Sequence, residues 1–353
     1  MKEFWSKRIY NQQAYTAGEQ PKDKKYIKLN TNENPYPPSP KVKEAIMAAL
    51  NDLRLYPDPN CTEIIEAVSE VYGVSTEKIF AGNGSDEILA MSFLAFYDPG
   101  RPVTFPDITY TFYPVYSELY GLSYNLIPLN EDFTVPVERL FRSPGGVVLA
   151  NPNAPTGIAL KLYDIERIVS ENPDFTVIID EAYVEYETQS AVSLIDKYAN
   201  LLVVRTSSKS YSLAGLRVGW AIGNENLINA LNVVKNSFNS YTLGRPALAG
   251  GAAGIRDREY FEMCRKKVIF TRRKTAESMQ ELGFELTPSS ANFLFAEHPK
   301  INAETLFHAL RERGILVRYF NKPRIGNRLR ISVGTDYQMS VMVEQLSDIL
   351  RHY

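Results

Sequence analysis

Residues 176–209, TVIIDEAYVEYETQSAVSLIDKYANLLVVRTSSK, contain the pattern that decides the fold. Two continuous apolar runs, 177–179 and 201–204, each end in a cluster of polar residues. Two further apolar runs, at 147–150 and 218–222, have the same form. Continuous rather than alternating apolar strands are buried on both faces, which is typical of parallel sheets covered by helices. The sequence therefore predicts an α/β fold with a mostly parallel central sheet.

The rest of the chain divides into regions of different character. A length of 353 residues is sufficient for two domains, or for one large domain with an appendage. Residues 1–40 are polar and rich in proline, which disfavours helix, so we predict an extended N-terminal arm that packs on the smaller C-terminal unit. We predict a large domain over 41–245 and a small α+β domain over 246–353. The predicted helices outside the central region lie near 40–52, 60–72, 256–282, 303–313 and 336–351, and the predicted small-domain strands lie near 292–296 and 328–333.

Composition and charge exclude several classes of protein. Lys plus Arg total 39 and Asp plus Glu total 41, so the chain lacks the basic excess that a general nucleic-acid binder needs. No apolar run approaches the ~20 residues that span a bilayer. Cys61 and Cys264 form no metal or disulfide pattern, and the histidines have no metal-ligand spacing. We therefore expect a soluble, cytoplasmic protein without a metal site.

Three polar clusters directly follow three of the predicted strands. They are Asn151–Gly157, Asp180–Tyr183 and Thr206–Lys209. Open parallel sheets bind ligands outside the carboxyl ends of their strands. We therefore predict the functional site at this edge of the sheet, and this prediction does not depend on any single motif.

Lys209 follows a buried strand and stands among hydroxyl groups, in Thr206-Ser207-Ser208-Lys209. A lysine held at the mouth of an apolar sheet has a lowered pKa and can attack a carbonyl to form a Schiff base. Thr206, Ser208 and the guanidinium of Arg217 would together bind a dianion. The alternative is a solvated lysine in a surface loop.

Asp180 ends an apolar run, so its carboxylate is expected to be at least half buried. An unpaired buried carboxylate is unfavourable, and a cationic partner such as a protonated pyridine nitrogen would remove the cost. Tyr183, three residues later, could reach the same ligand. The alternatives for Asp180 are a helix N-cap and an ion pair with a nearby arginine.

A glycine-containing turn, Ala81-Gly82-Asn83-Gly84-Ser85-Asp86-Glu87, precedes an apolar helix. Glycines followed by Ser-Asp at a helix start can form a backbone-amide anion site, and a plain capping box is the equal alternative. The turn is neither a GxGxxG nor a Walker motif, so a nucleotide-binding module is not favoured.

Pyridoxal 5′-phosphate requires what these clusters offer together: an amine for its aldehyde, an acid opposite its ring nitrogen, donors for its phenolate oxygen and a phosphate cup. Asn151–Gly157, Asp180–Tyr183 and Ser208–Gly219 resemble the motifs of class-II aminotransferases of fold type I. More narrowly, Leu29–Tyr36, Tyr56–Asp58 and Leu329–Thr335 resemble those of the histidinol-phosphate aminotransferase family. The resemblance runs from about residue 15 to the C-terminus. It implies a large domain with a mostly parallel sheet between helices and a smaller α+β domain.

The resemblance implies a role for each cofactor contact. Lys209 would form the Schiff base and move the proton at the substrate carbon, and Asp180 would keep the pyridine nitrogen protonated. Asn153 and Tyr183 would donate hydrogen bonds to the ring's phenolate oxygen, and Tyr110 would stack on the ring. The phosphate would be surrounded by Ser85, Asp86 (through its backbone N–H), Thr206, Ser208 and Arg217, and by Tyr56 from the neighbouring subunit of a homodimer. Ala154 replaces an asparagine that family members often have, with a small expected effect.

The resemblance also implies the substrates. Arg330 would bind the carboxylate of glutamate or 2-oxoglutarate with both ends of its guanidinium, and Arg318 and Tyr15 match positions that contact the substrate phosphate. The implied reaction converts L-histidinol phosphate and 2-oxoglutarate to imidazole acetol phosphate and L-glutamate by ping-pong kinetics, in histidine biosynthesis. An aromatic amino-acid transaminase and a threonine-phosphate decarboxylase on the same fold stay open as alternatives. A non-catalytic pyridoxal-binding regulator would need an N-terminal DNA-binding domain, for which the first forty residues are too short and too rich in proline.

Overall fold

The computed structural model describes residues 4–10 and 12–352. Its helices are α1 (Lys7–Tyr10), α2 (Pro40–Ala49), α3 (Thr62–Tyr72), α4 (Gly84–Phe96), α5 (Phe112–Tyr120), α6 (Leu162–Ser170), α7 (Glu225–Phe238), α8 (Arg245–Arg256), α9 (Arg258–Glu281), α10 (Ala303–Glu312) and α11 (Asp336–Leu350). Its strands are β1 (Ile27–Lys28), β2 (Ile79–Gly82), β3 (Val103–Pro106), β4 (Tyr124–Ile127), β5 (Val147–Ala150), β6 (Val177–Asp180), β7 (Leu201–Thr206), β8 (Gly219–Gly223), β9 (Glu285–Leu286), β10 (Phe293–Glu297), β11 (Ile315–Leu316), β12 (Arg318–Tyr319) and β13 (Leu329–Ser332).

A seven-stranded sheet, here called the large sheet, has the strand order β2-β8-β7-β6-β5-β3-β4. Neighbouring strands from β7 to β4 are parallel, and β8 is antiparallel to both β2 and β7. Strands β5, β6 and β7 are fully buried along their length. The predicted α/β fold with a mostly parallel sheet is therefore confirmed, and the apolar runs are its central strands.

Alternate residues of the central strands face two separate cores. Val177 and Ile179 pack on one side with residues of α2, α3, α6 and α8, whereas Ile178 packs on the other side with residues of α4, α5 and α7. Helices therefore cover both faces of the sheet, which is why these strands contain no alternating polar residues.

The C-terminal region forms a small sheet of order β12-β13-β10-β9. Residues of α9, α10 and α11 pack with it in a third core. The arm lies on this unit: β1 pairs in parallel with β11, and the Arg311 guanidinium forms an ion pair with Glu19 at 3.1 Å. The division at residues 40 and 245 stays a prediction, and residues 1–3 and 11 of the arm lie outside the described part. Helix α8, which begins at residue 245, packs against α2 and α3 of the large-sheet core.

Within residues 4–10 and 12–352, no helix combines the length and the apolar character that crossing a bilayer requires.

Candidate active site

A cavity of about 420 Å³ lies at the carboxyl ends of β5, β6 and β7. The large sheet, the arm and the C-terminal unit all contribute to its walls. Its size is in the range of small-molecule sites. The predicted site residues that line it are Tyr15, Ser85, Asp86, Tyr110, Asp180, Tyr183, Thr206, Ser208, Lys209, Arg217, Arg318 and Arg330.

Lys209 lies just after β7, and its side chain projects into this cavity. The Lys209 Nζ donates a hydrogen bond to the backbone carbonyl of Thr31 in the arm, at 3.2 Å. Burial, reinforced by the positive charge of Arg330, lowers the pKa of Lys209 to about 8, although Asp86 and Glu33 act in the opposite direction. About a tenth of this amine is therefore neutral and nucleophilic at pH 7, far more than for an ordinary lysine with a pKa of about 10.4. The surface-loop alternative does not fit this position.

Asp180 ends β6 and is only 4% exposed. Its carboxylate accepts a hydrogen bond from the Tyr113 hydroxyl at 2.9 Å and one from the backbone N–H of Ala182 at 3.2 Å. Burial raises the pKa of Asp180 to about 6, against the lowering effect of these two bonds. Arg205, on the neighbouring strand, pairs instead with Glu181 at 2.9 Å. Asp180 thus has hydrogen-bond donors but not the arginine partner that was one alternative.

Tyr183 follows β6 and places its ring between the cavity and the small sheet. Its hydroxyl accepts a hydrogen bond from the Asn32 side-chain amide at 3.0 Å. Its ring packs edge-on against Phe293, with centroids 5.1 Å apart. The Lys209 Nζ lies 5.9 Å from the centre of the Tyr183 ring, so the amine and the phenol share one wall of the cavity.

The turn before α4 forms a cradle together with the loop after β7. Gly219 packs so closely against this turn that an added Cβ would lie 2.7 Å from the Ser85 nitrogen. Only glycine at position 219 therefore leaves the first turn of α4 accessible. The first N–H groups of a helix lack intrahelical partners and attract anions. The Arg217 guanidinium lies beside this turn and donates to Ser208 Oγ at 3.4 Å, and Thr206 Oγ1 donates to the same oxygen at 2.9 Å.

The Asp86 carboxylate lies within the same cradle. It pairs with Arg217 at 3.0 Å and accepts a hydrogen bond from the Tyr110 hydroxyl at 2.7 Å. The family resemblance implies a role only for the backbone N–H of Asp86, so the contacts of its carboxylate are an addition from the structure. The capping-box alternative also has a partial counterpart, because the Glu87 carboxylate accepts the backbone N–H of Asn83 at 2.6 Å while the Asn83 side chain caps nothing.

Two arginines line the side of the cavity formed by the C-terminal unit. Arg330, on β13, donates to the Asn30 carbonyl at 2.9 Å, and its buried Nε has no hydrogen-bond partner among the described residues. Arg318, on β12, donates to the carbonyls of Thr16 and Ala17 at 3.1 and 3.3 Å. Tyr15 stacks on Phe112 with ring centroids 4.2 Å apart. This side therefore offers guanidinium donors to an anionic group.

Two predicted residues lie outside the cavity lining. The Asn153 side chain is buried and donates to the Ile108 carbonyl at 2.9 Å and to Thr156 Oγ1 at 3.2 Å. Tyr56 is 76% exposed and stacks on Tyr241, with centroids 4.7 Å apart. The cofactor roles of these two residues stay predictions.

Three residues that line the cavity or contact a residue of its wall were not predicted from the sequence. Tyr113, which donates to Asp180, lies in the first turn of α5, three residues after Tyr110, and this spacing could have indicated it. Arg324 lines the cavity and pairs with Asp107 at 3.1 Å, while Asn32 reaches Tyr183 from the arm. Asn32 lies within the Leu29–Tyr36 motif, but its contact with Tyr183 and the pairing of Arg324 with Asp107 join residues far apart in the chain, so no local pattern predicts either contact.

The fold and the site define a known class of enzyme. Residues 24–346 match the family model described as "Aminotransferase class I and II". The chain therefore belongs to the class I and II aminotransferase family.

Within this family the similarity is narrower. The chain is 51% identical to the histidinol-phosphate aminotransferase of Clostridium acetobutylicum over 351 residues, covering 99% of this chain and 100% of the relative. It is 52% identical to that of Acinetobacter baumannii over 352 residues, covering 98% of each. The predicted resemblance to this group is confirmed.

Solved structures agree on the fold. The histidinol-phosphate aminotransferase of Sinorhizobium meliloti in complex with pyridoxal-5′-phosphate superposes with a TM-score of 0.85 at 23% identity, over 93% of this chain and 92% of that one. A putative histidinol-phosphate aminotransferase of Erwinia carotovora gives 0.86 at 22% identity, over 93% and 96%.

Proposed function

We propose that the protein is a pyridoxal-phosphate-dependent transaminase that interconverts L-histidinol phosphate plus 2-oxoglutarate with imidazole acetol phosphate plus L-glutamate. The observation that carries the proposal is that Lys209 and Asp180, at the ends of adjacent strands, line one cavity. The full-length similarity to histidinol-phosphate aminotransferases supports the substrate pair over the aromatic and decarboxylase alternatives.

The residues present fit the cofactor. Asp180 is a buried carboxylate whose raised pKa reflects the need for a cationic partner, which a protonated pyridine nitrogen supplies. Lys209 offers an amine, and Tyr183 and Tyr110 offer a phenol and an aromatic face. The first turn of α4, with Thr206, Ser208 and Arg217, offers N–H, hydroxyl and guanidinium donors to a phosphate.

When bound, pyridoxal phosphate supplies an aldehyde that takes up the amino group and a ring that withdraws electrons from the substrate carbon. Lys209 would hold the cofactor and, as a free amine, would take and return the proton at that carbon. Asp180 would keep the ring nitrogen charged through its own negative charge. Tyr183 would donate a hydrogen bond to the ring oxygen, and the wall of buried side chains would exclude water from the reacting atoms.

The substrate's anionic groups would lie against the C-terminal unit. Arg330 lines the cavity, and its buried Nε has no hydrogen-bond partner among the residues that the structure describes, so its guanidinium has donor capacity left for a carboxylate. Arg318 and Tyr15 lie nearer the outside of the same wall, and we assign them to the phosphate of histidinol phosphate. Lys322 and Arg324 add positive charge to this end of the cavity.

The dimer is part of this proposal. Tyr56 is exposed, and Met47, Leu50, Leu53 and Leu55 nearby in the chain expose apolar side chains as well. An apolar surface of this kind is typical of an interface between subunits. We propose that a homodimer covers it and that Tyr56 reaches the cofactor phosphate of the neighbouring subunit. A cytoplasmic location, expected from the sequence, belongs to the same proposal.

A spectroscopic titration tests the function. The visible absorption band of the holoprotein should disappear on addition of histidinol phosphate and return on addition of 2-oxoglutarate, because the two half-reactions alternate. Lys209→Ala should retain cofactor noncovalently and show neither change. If the wild-type band does not change with histidinol phosphate but changes with phenylalanine or O-phosphothreonine, the substrate assignment is refuted.

A further inference from the structure

Three consecutive residues of the arm each bond a different residue of the candidate site. The Asn30 carbonyl accepts a hydrogen bond from Arg330 at 2.9 Å, and the Thr31 carbonyl accepts one from Lys209 at 3.2 Å. The third contact differs in kind, because the Asn32 side chain donates to the Tyr183 hydroxyl at 3.0 Å. Of the three arm contacts, only that of Asn32 is made by a side chain, so a substitution can remove it alone.

We propose that Asn32 is a positioning residue for the reaction: it donates to the Tyr183 hydroxyl and thereby turns and strengthens the hydrogen bond that Tyr183 gives to the cofactor. This inference rests on the proposed function and adds the arm to the residues that control the cofactor.

The surroundings of Asn32 hold it in one orientation. Its backbone N–H donates to Ser332 Oγ at 2.8 Å, and Ser332 Oγ donates in turn to Asn32 Oδ1 at 2.9 Å. The Asn292 amide donates to the Asn32 carbonyl at 2.9 Å. With Oδ1 occupied by Ser332, the amide nitrogen is left to face Tyr183. Asn32 is 1% exposed and has a φ of 56°, a left-handed conformation that asparagine adopts more readily than most residues.

The effect on Tyr183 follows from hydrogen-bond geometry. A phenol oxygen that accepts one hydrogen bond has its O–H directed away from that donor, and the Phe293 contact fixes the ring, so the proton points to the cavity side. Accepting a bond also makes the O–H a better donor. Burial raises the pKa of Tyr183, and the Asn32 amide counteracts that rise, as expected for a donor that stabilises negative charge on the oxygen.

The test is a pH titration of the visible band of the holoprotein. A bond from Tyr183 to the cofactor's ring oxygen draws negative charge from it, so the Lys209 nitrogen beside it holds its proton less tightly. Asn32→Gly removes the side chain and tolerates the positive φ, and it should raise the midpoint of the titration by about 0.5 to 1 pH unit. Asn32→Asp keeps the bond from Ser332 but accepts the Tyr183 proton, and it should raise the midpoint further, toward the value of Tyr183→Phe.

A double-mutant cycle separates this role from a structural one. In the Tyr183→Phe background, Asn32→Gly should give no further shift, because the group on which it acts is gone. Glu19→Gln, which removes an arm contact with Arg311 far from Tyr183, serves as the matched control and should leave the midpoint unchanged. The same shift in both backgrounds, no shift from either Asn32 variant, or a shift from Glu19→Gln as large as that from Asn32→Gly would each overturn the inference. Failure of the wild-type band to respond to histidinol phosphate would instead refute the proposed function.

Discussion

The Lys209 Nζ donates a hydrogen bond to the Thr31 carbonyl at 3.2 Å, although 178 residues of sequence separate the two. The lysine follows the central strand β7, and Thr31 belongs to the arm that lies on the C-terminal unit. The amine is thus held within a wall built from three parts of the chain, and burial in that wall lowers its pKa to about 8.

The lowered pKa of Lys209 predicts how cofactor capture depends on pH. Only the neutral amine attacks an aldehyde, so the rate at which the cofactor-free protein captures pyridoxal phosphate should rise with pH through a midpoint near 8. Stopped-flow absorbance at the visible band measures this rate. A midpoint near the ~10.4 of an ordinary lysine would contradict the burial of the amine.

At pH 7 the buried Asp180 carboxylate should lower the free energy of unfolding of the cofactor-free protein relative to a variant with a neutral side chain. Its pKa in the folded protein, about 6, lies above the ordinary value of 3.8, so the folded state binds more protons than the unfolded state between these two pH values. Stability contributed by this group is therefore lost as pH rises from about 4 to 6. Asp180→Asn should raise the free energy of unfolding at pH 7 by up to about 2–3 kcal/mol, and the gain should vanish near pH 3.5.

Urea unfolding of the cofactor-free wild type and Asp180→Asn at several pH values measures this gain. The same variant should lose at least about 100-fold in kcat once loaded with cofactor, since nothing then keeps the ring nitrogen charged. Tyr113→Phe is the matched control, because it removes a hydrogen bond to Asp180 but leaves the carboxylate. A variant of Asp180 that is destabilised at pH 7 would speak against an unpaired buried charge.

The two arginines of the C-terminal unit should differ in which substrate they affect. Arg330→Lys removes the bidentate hydrogen bonding of the guanidinium but keeps the positive charge. It should raise the KM for glutamate by about 10- to 100-fold. Arg318→Gln should raise KM for histidinol phosphate and leave that for glutamate within about threefold. Steady-state kinetics with each substrate varied in turn measures both. Equal effects of Arg318→Gln on the two substrates would contradict its assignment to the phosphate.

The fold could be predicted from the sequence because its central strands are buried on both faces. Continuous apolar runs identify such strands, and 147–150 and 177–179 lie within β5 and β6 as the structure has them. The antiparallel direction of β8 could not be predicted from the sequence, because an antiparallel strand buried on both faces has the same composition as a parallel one. The large sheet, in turn, brings the polar residues after β6 and β7 together at one edge.

The parts of the site that could not be predicted come from distant segments. Asn32 and Tyr183 are 151 residues apart, and Tyr113 and Asp180 are 67 residues apart. Motifs at strand ends indicate which side chains face a ligand, but the donors that orient those side chains depend on how the arm and α5 pack. The ring contact expected of Asn153 stays a prediction, and in this structure its amide donates to the Ile108 carbonyl and to Thr156 Oγ1.

Tyr56 should act across the proposed dimer interface. Mixing Tyr56→Ala subunits with Lys209→Ala subunits should restore activity, because one of the two sites in each mixed dimer then has both residues intact. At random mixing, about a quarter of wild-type activity is expected from the statistics of subunit exchange. Activity measured after mixing, against each variant alone, checks this. No recovery, although size-exclusion chromatography shows mixed dimers, would place Tyr56 outside the neighbouring site.

The most direct test of the central claim is chemical trapping at Lys209. The holoprotein is reduced with sodium borohydride and digested, and the peptides are analysed by mass spectrometry. We predict a single peptide that carries the pyridoxyl mass, with the modification on Lys209. Modification of a different lysine, or none in a protein that retains activity, would contradict the account.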